Sequence, residues 1–339
     1  MRPGTKRTFL TKLLASCIFL CASGSALAQN PLQSAPPPPP PGAAAQNAQT
    51  DSSHHIRTTV DLVVLHVTVV DDRGQFVPNL KPNNFRVFED KIEQRTSVFS
   101  RDDIPVTLGL VIDNSGSMRE KRAQVNAAAV TFVKTSNPQD EVFVVNFNDE
   151  FYLDLDEDFT SDPKELNDAL QRIDTRGSTA LYDAIIGSLD HLKKGHKDKR
   201  VLLVITDGDD DASRKSLEYT MKAAEQSDAT IYAIGVFSDD DRKHDKKMVN
   251  HSKKVLTELA EATGGLAYFP ENLDQVEVVC TQVARDIRNQ YMLAYYPTNT
   301  AKDGTFRAVQ VQLMPPKGLS KASVRTRAGY YAQKTSGGD

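Results

Sequence analysis

Acidic and hydroxyl side chains are concentrated in the stretch VIDNSGSM, Val111–Met118. Asp113, Ser115 and Ser117 alternate there, directly after a run of apolar residues, and Gly116 permits the chain to turn tightly. Carboxylate and hydroxyl oxygens are the ligands that small hard cations such as Mg²⁺ prefer. The stretch therefore predicts part of a metal site, provided that other segments bring matching oxygens to the same place.

Two later segments offer such oxygens. Thr179 lies in GSTAL, where a helix is predicted to begin, and Asp207 lies in TDG, directly after another apolar run. Ligands of open parallel sheets bind at the carboxyl ends of the strands, so these side chains are expected to meet Asp113 there. Mg²⁺ is the expected metal, with Mn²⁺ or Ca²⁺ as alternatives. A plainer interpretation also stands: the Ser-Gly-Ser turn is a helix cap, with Asp113 capping a helix that begins near Met118.

The elements that would position these residues are short buried strands alternating with amphipathic helices. Apolar runs typical of parallel strands covered on both faces occupy Val106–Ile112, Val142–Phe147, Val201–Thr206 and Ile231–Val236. Apolar residues at helical spacing lie between them, and Phe151–Leu153 is predicted to be an antiparallel edge strand. The pattern predicts an α/β fold with a Rossmann-like, doubly wound and mostly parallel sheet over residues 105–290.

Strand patterns also flank this α/β domain. Residues 57–104 form an N-terminal β unit, and residues 291–332 contain three more apolar, β-branched runs that are too few to fold alone. We expect the two groups to pack together in one small sandwich-like domain into which the α/β domain is inserted. Residues 333–339 are expected to form a disordered tail.

The ordered set Asp113-x-Ser115-x-Ser117, Thr179 and Asp207 resembles the complete metal-ion-dependent adhesion site of von Willebrand factor type A domains. The resemblance implies a Rossmann-like fold and direct metal contacts from both serines and the threonine, while the two aspartates set the charge and act through water. Flanking segments, including Arg327-Ala328-Gly329-Tyr330-Tyr331, extend the resemblance to secreted bacterial proteins described only as von Willebrand factor A-related. That group implies no biochemical activity.

The N-terminus predicts export. Residues 1–28 have the basic start, short apolar run and small-residue cleavage site of a signal peptide, with cleavage near Ala28-Gln29, and residues 29–56 form a disordered linker rich in Pro, Ala and Gln. The apolar run is shorter than the roughly 20 residues of a spanning helix, and no other stretch is long enough to cross a bilayer. A lipoprotein box ending at Cys17 is disfavoured because Lys12 would interrupt its apolar region. The mature protein is expected to be secreted or periplasmic.

Removing the leader takes away four basic residues and no acidic ones, which moves the formal net charge from −4 to −8. Such an acidic balance argues against nucleic acid as the main partner. Cys280 is then the one remaining cysteine, and its helical spacing with neighbouring valines predicts a buried core thiol.

Few protein oxygens at the site would leave metal positions open to an incoming group. The primary hypothesis is a non-enzymatic adhesion or interaction module, in which an Asp or Glu carboxylate of a protein partner completes the metal shell. A metal-dependent hydrolase or phosphatase is the second hypothesis, although no general base or His-paired nucleophile is evident. A third is a structural protein whose metal only staples loops. The resemblance further implies that the last helix, Leu273–Asn289, moves with metal coordination.

Overall fold

The computed structural model describes residues 62–101, 103–172, 175–317, 319 and 321–334. The predicted signal peptide, the Pro-rich linker and residues 335–339 of the predicted tail lie outside these ranges. Within them, no helix has both the length and the apolar character needed to cross a membrane.

The described residues form strands and helices in the following order. The strands are β1 (Val63–Asp71), β2 (Phe85–Glu89), β3 (Ile92–Gln94), β4 (Thr96–Ser100), β5 (Val106–Asp113), β6 (Glu141–Phe147), β7 (Phe151–Leu153), β8 (Lys199–Thr206), β9 (Ala229–Gly235), β10 (Ala267–Tyr268), β11 (Tyr291–Tyr295), β12 (Phe306–Leu313), β13 (Ala322–Arg325) and β14 (Gly329–Tyr331). The helices are α1 (Arg122–Thr135), α2 (Pro163–Leu170), α3 (Leu181–Leu192), α4 (Leu217–Gln226), α5 (Asp239–His244), α6 (Lys246–Ala262) and α7 (Gln275–Arg288).

The central sheet has the order β10-β9-β8-β5-β6-β7 in the part of the chain that the structure describes. Its strands are parallel except β7, which pairs antiparallel with β6. Helices α1, α2 and α7 pack on one face of the sheet, and α3, α4 and α6 pack on the other. Every residue of β5 is buried because both faces are covered. The predicted doubly wound α/β fold is thus confirmed, including the antiparallel edge strand.

The four predicted parallel strands lie within two residues of their observed bounds. Strand β10, which adds a fifth parallel strand beside β9, was not predicted. It contains only Ala267 and Tyr268, too short a run to show a strand pattern.

Strands from both ends of the chain share two further sheets of the described structure, with the orders β13-β1-β11-β4 and β14-β12-β2-β3. In the first, β1 pairs antiparallel with both β11 and β13, and in the second β12 pairs antiparallel with β2. Apolar side chains of the two sheets share one core. N-terminal and C-terminal strands therefore need each other, because neither group supplies complete strand pairing alone. The exact domain boundaries remain a prediction.

A buried polar network joins these strands. Glu89 of β2 accepts hydrogen bonds from the hydroxyls of Tyr295 and Tyr330, each at 2.8 Å. Arg307 of β12 lies 3.4 Å from the other Glu89 oxygen and also donates to the carbonyl oxygens of Asn299 and Ala301. Glu89 and Arg307 are each only 2% exposed, so their charges depend on these contacts rather than on water.

Both connections between the α/β domain and the β sheets lie at the amino-terminal edge of the parallel strands. Strand β5 begins there, and α7 ends there, since the Lys199 ammonium at the start of β8 donates to the Ile287 carbonyl. Arg288, the last residue of α7, forms an ion pair with Asp103 in the segment that enters β5. The carboxyl ends of the strands, where the candidate site lies, form the opposite edge.

Candidate metal centre

Asp113 is the last residue of β5, and its carboxylate is fully buried. One carboxylate oxygen accepts a hydrogen bond from the Ser115 amide at 2.8 Å, and the other accepts from the Thr206 hydroxyl at 2.6 Å. A 3-10 helix, Gly116–Met118, precedes α1, but its N-cap residue Ser115 makes no side-chain cap hydrogen bond, and α1 begins only at Arg122, also without a side-chain cap. The helix-cap interpretation of Asp113 is therefore wrong: its side chain fastens the end of β5 to the end of β8.

The two serines and the second aspartate form a continuous chain of contacts. The hydroxyl oxygens of Ser115 and Ser117 lie 3.0 Å apart, and the Ser117 hydroxyl donates to Asp207 at 2.8 Å. Ser115 and Asp207 are each 2% exposed, whereas Ser117 faces solvent. The structure thus brings these residues together at the carboxyl ends of β5 and β8, with the Ser117 side open to the surface.

Thr179 reaches the same edge from the loop before α3. The Gly116 amide donates to the Gly177 carbonyl at 3.0 Å, so this loop is tied to the β5 loop. Gly177 has φ +77°, a conformation that other residues rarely adopt. The Thr179 hydroxyl oxygen faces Gly208, 3.7 Å from where a Cβ on that glycine would lie. Among the described residues, it forms no hydrogen bond with either serine or with Asp207, so its metal contact stays a prediction.

The pKa of the Asp113 carboxyl group is raised to about 6. Burial is the main cause, and repulsion from the Asp207 carboxylate is the second. Two carboxylates close together in a poorly solvated corner repel each other, and a divalent cation between them would relieve that repulsion. The site is therefore electrostatically suited to a cation.

Two charged residues at the site were missed from the sequence. The Lys121 ammonium contacts the Asp207 carboxylate and lies 3.0 Å from a carboxylate oxygen of Asp241. Lys121 is only 5% exposed. A lysine just before a helix reads as a solvated side chain, and its partners lie far along the chain, so no local pattern identifies it.

The acidic run Asp209-Asp210-Asp211 follows Asp207, and although such a run is normally solvated, its side chains accept hydrogen bonds from neighbouring segments. The Thr179 amide donates to Asp211, the Tyr182 amide donates to Asp210, and the Ser252 hydroxyl donates to Asp209. The run therefore holds the start of α3 and the Thr179 loop in place. Cys280 is buried, as expected.

The donor set fits a hard cation. Ser115, Ser117 and Thr179 would supply hydroxyl oxygens, while Asp113 and Asp207 would supply negative charge. No group of three or more His, Cys, Asp or Glu side chains arranged for a metal occurs in the described ranges. Any cation here would consequently depend on the hydroxyls, which favours Mg²⁺, Mn²⁺ or Ca²⁺ over softer metals.

Comparisons with known proteins bear on this domain. Residues 108–209 match the family described as von Willebrand factor type A domain. No curated protein matches the sequence. Similar solved structures include BatB from Bacteroides thetaiotaomicron, with 18% identity, a TM-score of 0.43, and coverage of 54% of this chain and 98% of that one.

Two other solved structures have comparable scores. The von Willebrand factor domain of the pilus tip protein Mfa5 from Porphyromonas gingivalis is 12% identical, with a TM-score of 0.44 and coverage of 55% of this chain and 95% of that one. Proximal thread matrix protein 1 from the mussel byssus, solved with a zinc-occupied adhesion-site motif, is 18% identical, with a TM-score of 0.46 and coverage of 59% of this chain and 49% of that one.

Proposed function

The chain contains a von Willebrand factor type A domain, matched over residues 108–209, and on that premise we propose that it is a cation-dependent protein-binding module. The divalent cation, Mg²⁺ in the first instance, would be held by Ser115, Ser117 and Thr179, with Asp113 and Asp207 providing charge. An Asp or Glu carboxylate of a protein partner would complete its coordination. The predicted leader places this activity in the periplasm or outside the cell.

The observation that carries the proposal is the contact chain from Ser115 through Ser117 to Asp207, beside the buried Asp113. These oxygens come from the ends of two neighbouring parallel strands, the location at which open α/β sheets bind ligands. The exposed Ser117 marks the side from which a partner group would approach. When bound, the cation would supply open positions that accept an oxygen ligand.

The test is calorimetric titration of the mature chain, stripped of metal with a chelator, with Mg²⁺, Mn²⁺ and Ca²⁺. Asp113→Ala should abolish binding, because it removes one of the two buried charges. Asp190→Ala is the matched control: Asp190 is an acidic residue exposed on α3, and its loss should leave the affinity unchanged. Equal metal binding by the wild type and Asp113→Ala would refute the proposed site.

The partner chemistry needs a separate measurement. A short peptide with a single Glu between neutral residues, and its Gln counterpart, would be titrated into the metal-loaded protein. Binding of the Glu peptide alone, lost on chelation, is expected if a carboxylate completes the metal shell. A large rise in melting temperature with Mg²⁺, combined with equal binding of both peptides or of neither, would instead identify the metal as a structural staple.

A further inference from the structure

Lys121 is a buried cation held in a fixed position beside the candidate metal centre. Its backbone amide donates to the Met118 carbonyl at 3.0 Å, and its own carbonyl accepts from the Val125 amide at 3.1 Å. The backbone is thus anchored both to the turn that follows Ser117 and to the first turn of α1. These contacts direct the side chain towards Asp207.

The Asp207 carboxylate is shared between the site and this lysine. One oxygen accepts from the Ser117 hydroxyl at 2.8 Å, and the other contacts the Lys121 ammonium. A divalent cation and the ammonium would compete for the same negative charge, and they would repel each other across a few ångströms of poorly solvated space. Lys121 should therefore lower the affinity of the site for metal.

Asp241 gives the ammonium a second carboxylate. It lies in the first turn of α5, where its side chain accepts from the Ser238 amide at 2.8 Å while its own amide donates to the Ser238 hydroxyl at 3.1 Å. This reciprocal capping fixes the carboxylate near Lys121. The stronger this second contact, the less of the lysine's charge is directed at Asp207.

We propose that Lys121 is an internal counter-cation that sets the metal affinity of the site, and that Asp241 determines how strongly it does so. The inference rests on the proposed metal site and specifies how that site is regulated. It requires the two residues to act in opposite directions. Removing the lysine charge strengthens metal binding, and removing the Asp241 charge weakens it.

A merely structural role gives a different pattern. If Lys121 only holds Asp207 in place, its removal disorders the carboxylate and weakens both the fold and metal binding. A counter-cation role separates the two effects. Without Lys121, the buried carboxylates lose a compensating charge, so the metal-free protein becomes less stable while its affinity for metal rises.

The experiment measures Mg²⁺ and Mn²⁺ affinity by calorimetry, and melting temperature with and without a chelator, on the mature chain and three variants. Lys121→Met should bind metal at least about tenfold more tightly and melt at a lower temperature in chelator. Asp241→Asn should bind about threefold to tenfold more weakly. Lys134→Met removes an exposed lysine of α1, the helix that Lys121 precedes, and should match the wild type.

Weaker or unchanged metal binding by Lys121→Met, with an unaltered Lys134→Met control, would overturn the inference and leave the proposed function intact. Metal binding by Lys121→Met but not by the wild type would support the inference and refute a resident metal in the native protein. No binding by any variant would overturn both. If Lys121→Met does not fold, Asp241→Asn decides: an affinity equal to or above that of the wild type overturns the inference.

Discussion

The buried Glu89 carboxylate is the common acceptor for side chains from three other segments, so its replacement by glutamine tests how the β sheets are held together. Glu89→Gln keeps the shape of the side chain and removes its charge. The Arg307 guanidinium, 2% exposed and 3.4 Å from Glu89, would then lose its buried carboxylate partner and keep only the partly exposed Asp303 carboxylate, 3.9 Å away. The hydroxyls of Tyr295 and Tyr330 would compete for a single carbonyl oxygen.

The magnitude follows from burial. Removing one partner of a buried ion pair costs about 3–5 kcal/mol, because the remaining charge stays in a place that water does not reach. Arg307 retains two backbone acceptors, the carbonyl oxygens of Asn299 and Ala301. We therefore expect Glu89→Gln to lower the free energy of unfolding by about 3 kcal/mol, the lower end of that range.

The assay is urea unfolding followed by far-UV circular dichroism, since the sequence has no tryptophan for fluorescence. Near-UV circular dichroism would report the tyrosine environment in the same samples. Glu93→Gln is the matched control, because the Arg86–Glu93 pair joins β2 and β3 with side chains 45% and 49% exposed. Its loss should shift the urea midpoint far less than Glu89→Gln does, because solvent screens this exposed pair. Equal losses for the two variants would refute the argument from burial.

Three further predictions concern other parts of the chain. Burial, followed by the charges of Lys199 and Arg327, lowers the pKa of His66 from 6.5 to about 3. Stability that is present above pH 6.5 should therefore fall, by up to about 5 kcal/mol, as the pH drops towards 3, and His66→Gln should flatten this dependence in acid titrations. Gly177→Ala would place a Cβ 2.2 Å from Asp149 and shift the Thr179 loop, so it should weaken metal binding in calorimetry, whereas Gly74→Ala, with φ +73° but nothing within 4 Å, should not. Burial raises the pKa of the Cys280 thiol to about 12, so an aromatic disulfide reagent should label Cys280 of the mature chain only after urea unfolding. Labelling of the folded protein as fast as an exposed thiol would contradict this burial.

The α/β fold was predictable because its signal is local. Strands β5 and β8 are mostly apolar runs too short for a typical helix, which is the pattern of strands covered on both faces. For β1, β2, β11 and β12, the sequence predicts that the N-terminal and C-terminal strands pack together, but it does not predict their order in the sheets. The order of strands in a sheet depends on pairings between residues more than two hundred positions apart, and the period-2 pattern of a strand does not encode its neighbour.

The candidate site likewise contains residues that a local sequence pattern identifies and residues that it does not. The spacing of Asp113, Ser115 and Ser117 indicates one site, and Asp207 directly follows a predicted strand. The sequence therefore predicts that these side chains lie close together. Lys121 and Asp211 give no such signal, because a lone lysine or an aspartate in an acidic run is normally solvated. Their contacts form only where the loops next to β5, β8 and α3 meet. The charge balance of the site could therefore be determined only from the structure, not from the sequence.

The placement of both interdomain connections opposite the site has a mechanical consequence. A partner pulling on the metal would load the parallel strands along their length, from Asp113 and Asp207 towards Val106 and Lys199. The load would leave the α/β domain through β5 and α7 together, into β4 and β11, which pair with each other. Because Ser100 at the end of β4 pairs with Met292 at the start of β11, the two connections enter the β sheets side by side, and the force would be divided over two adjacent, hydrogen-bonded strands.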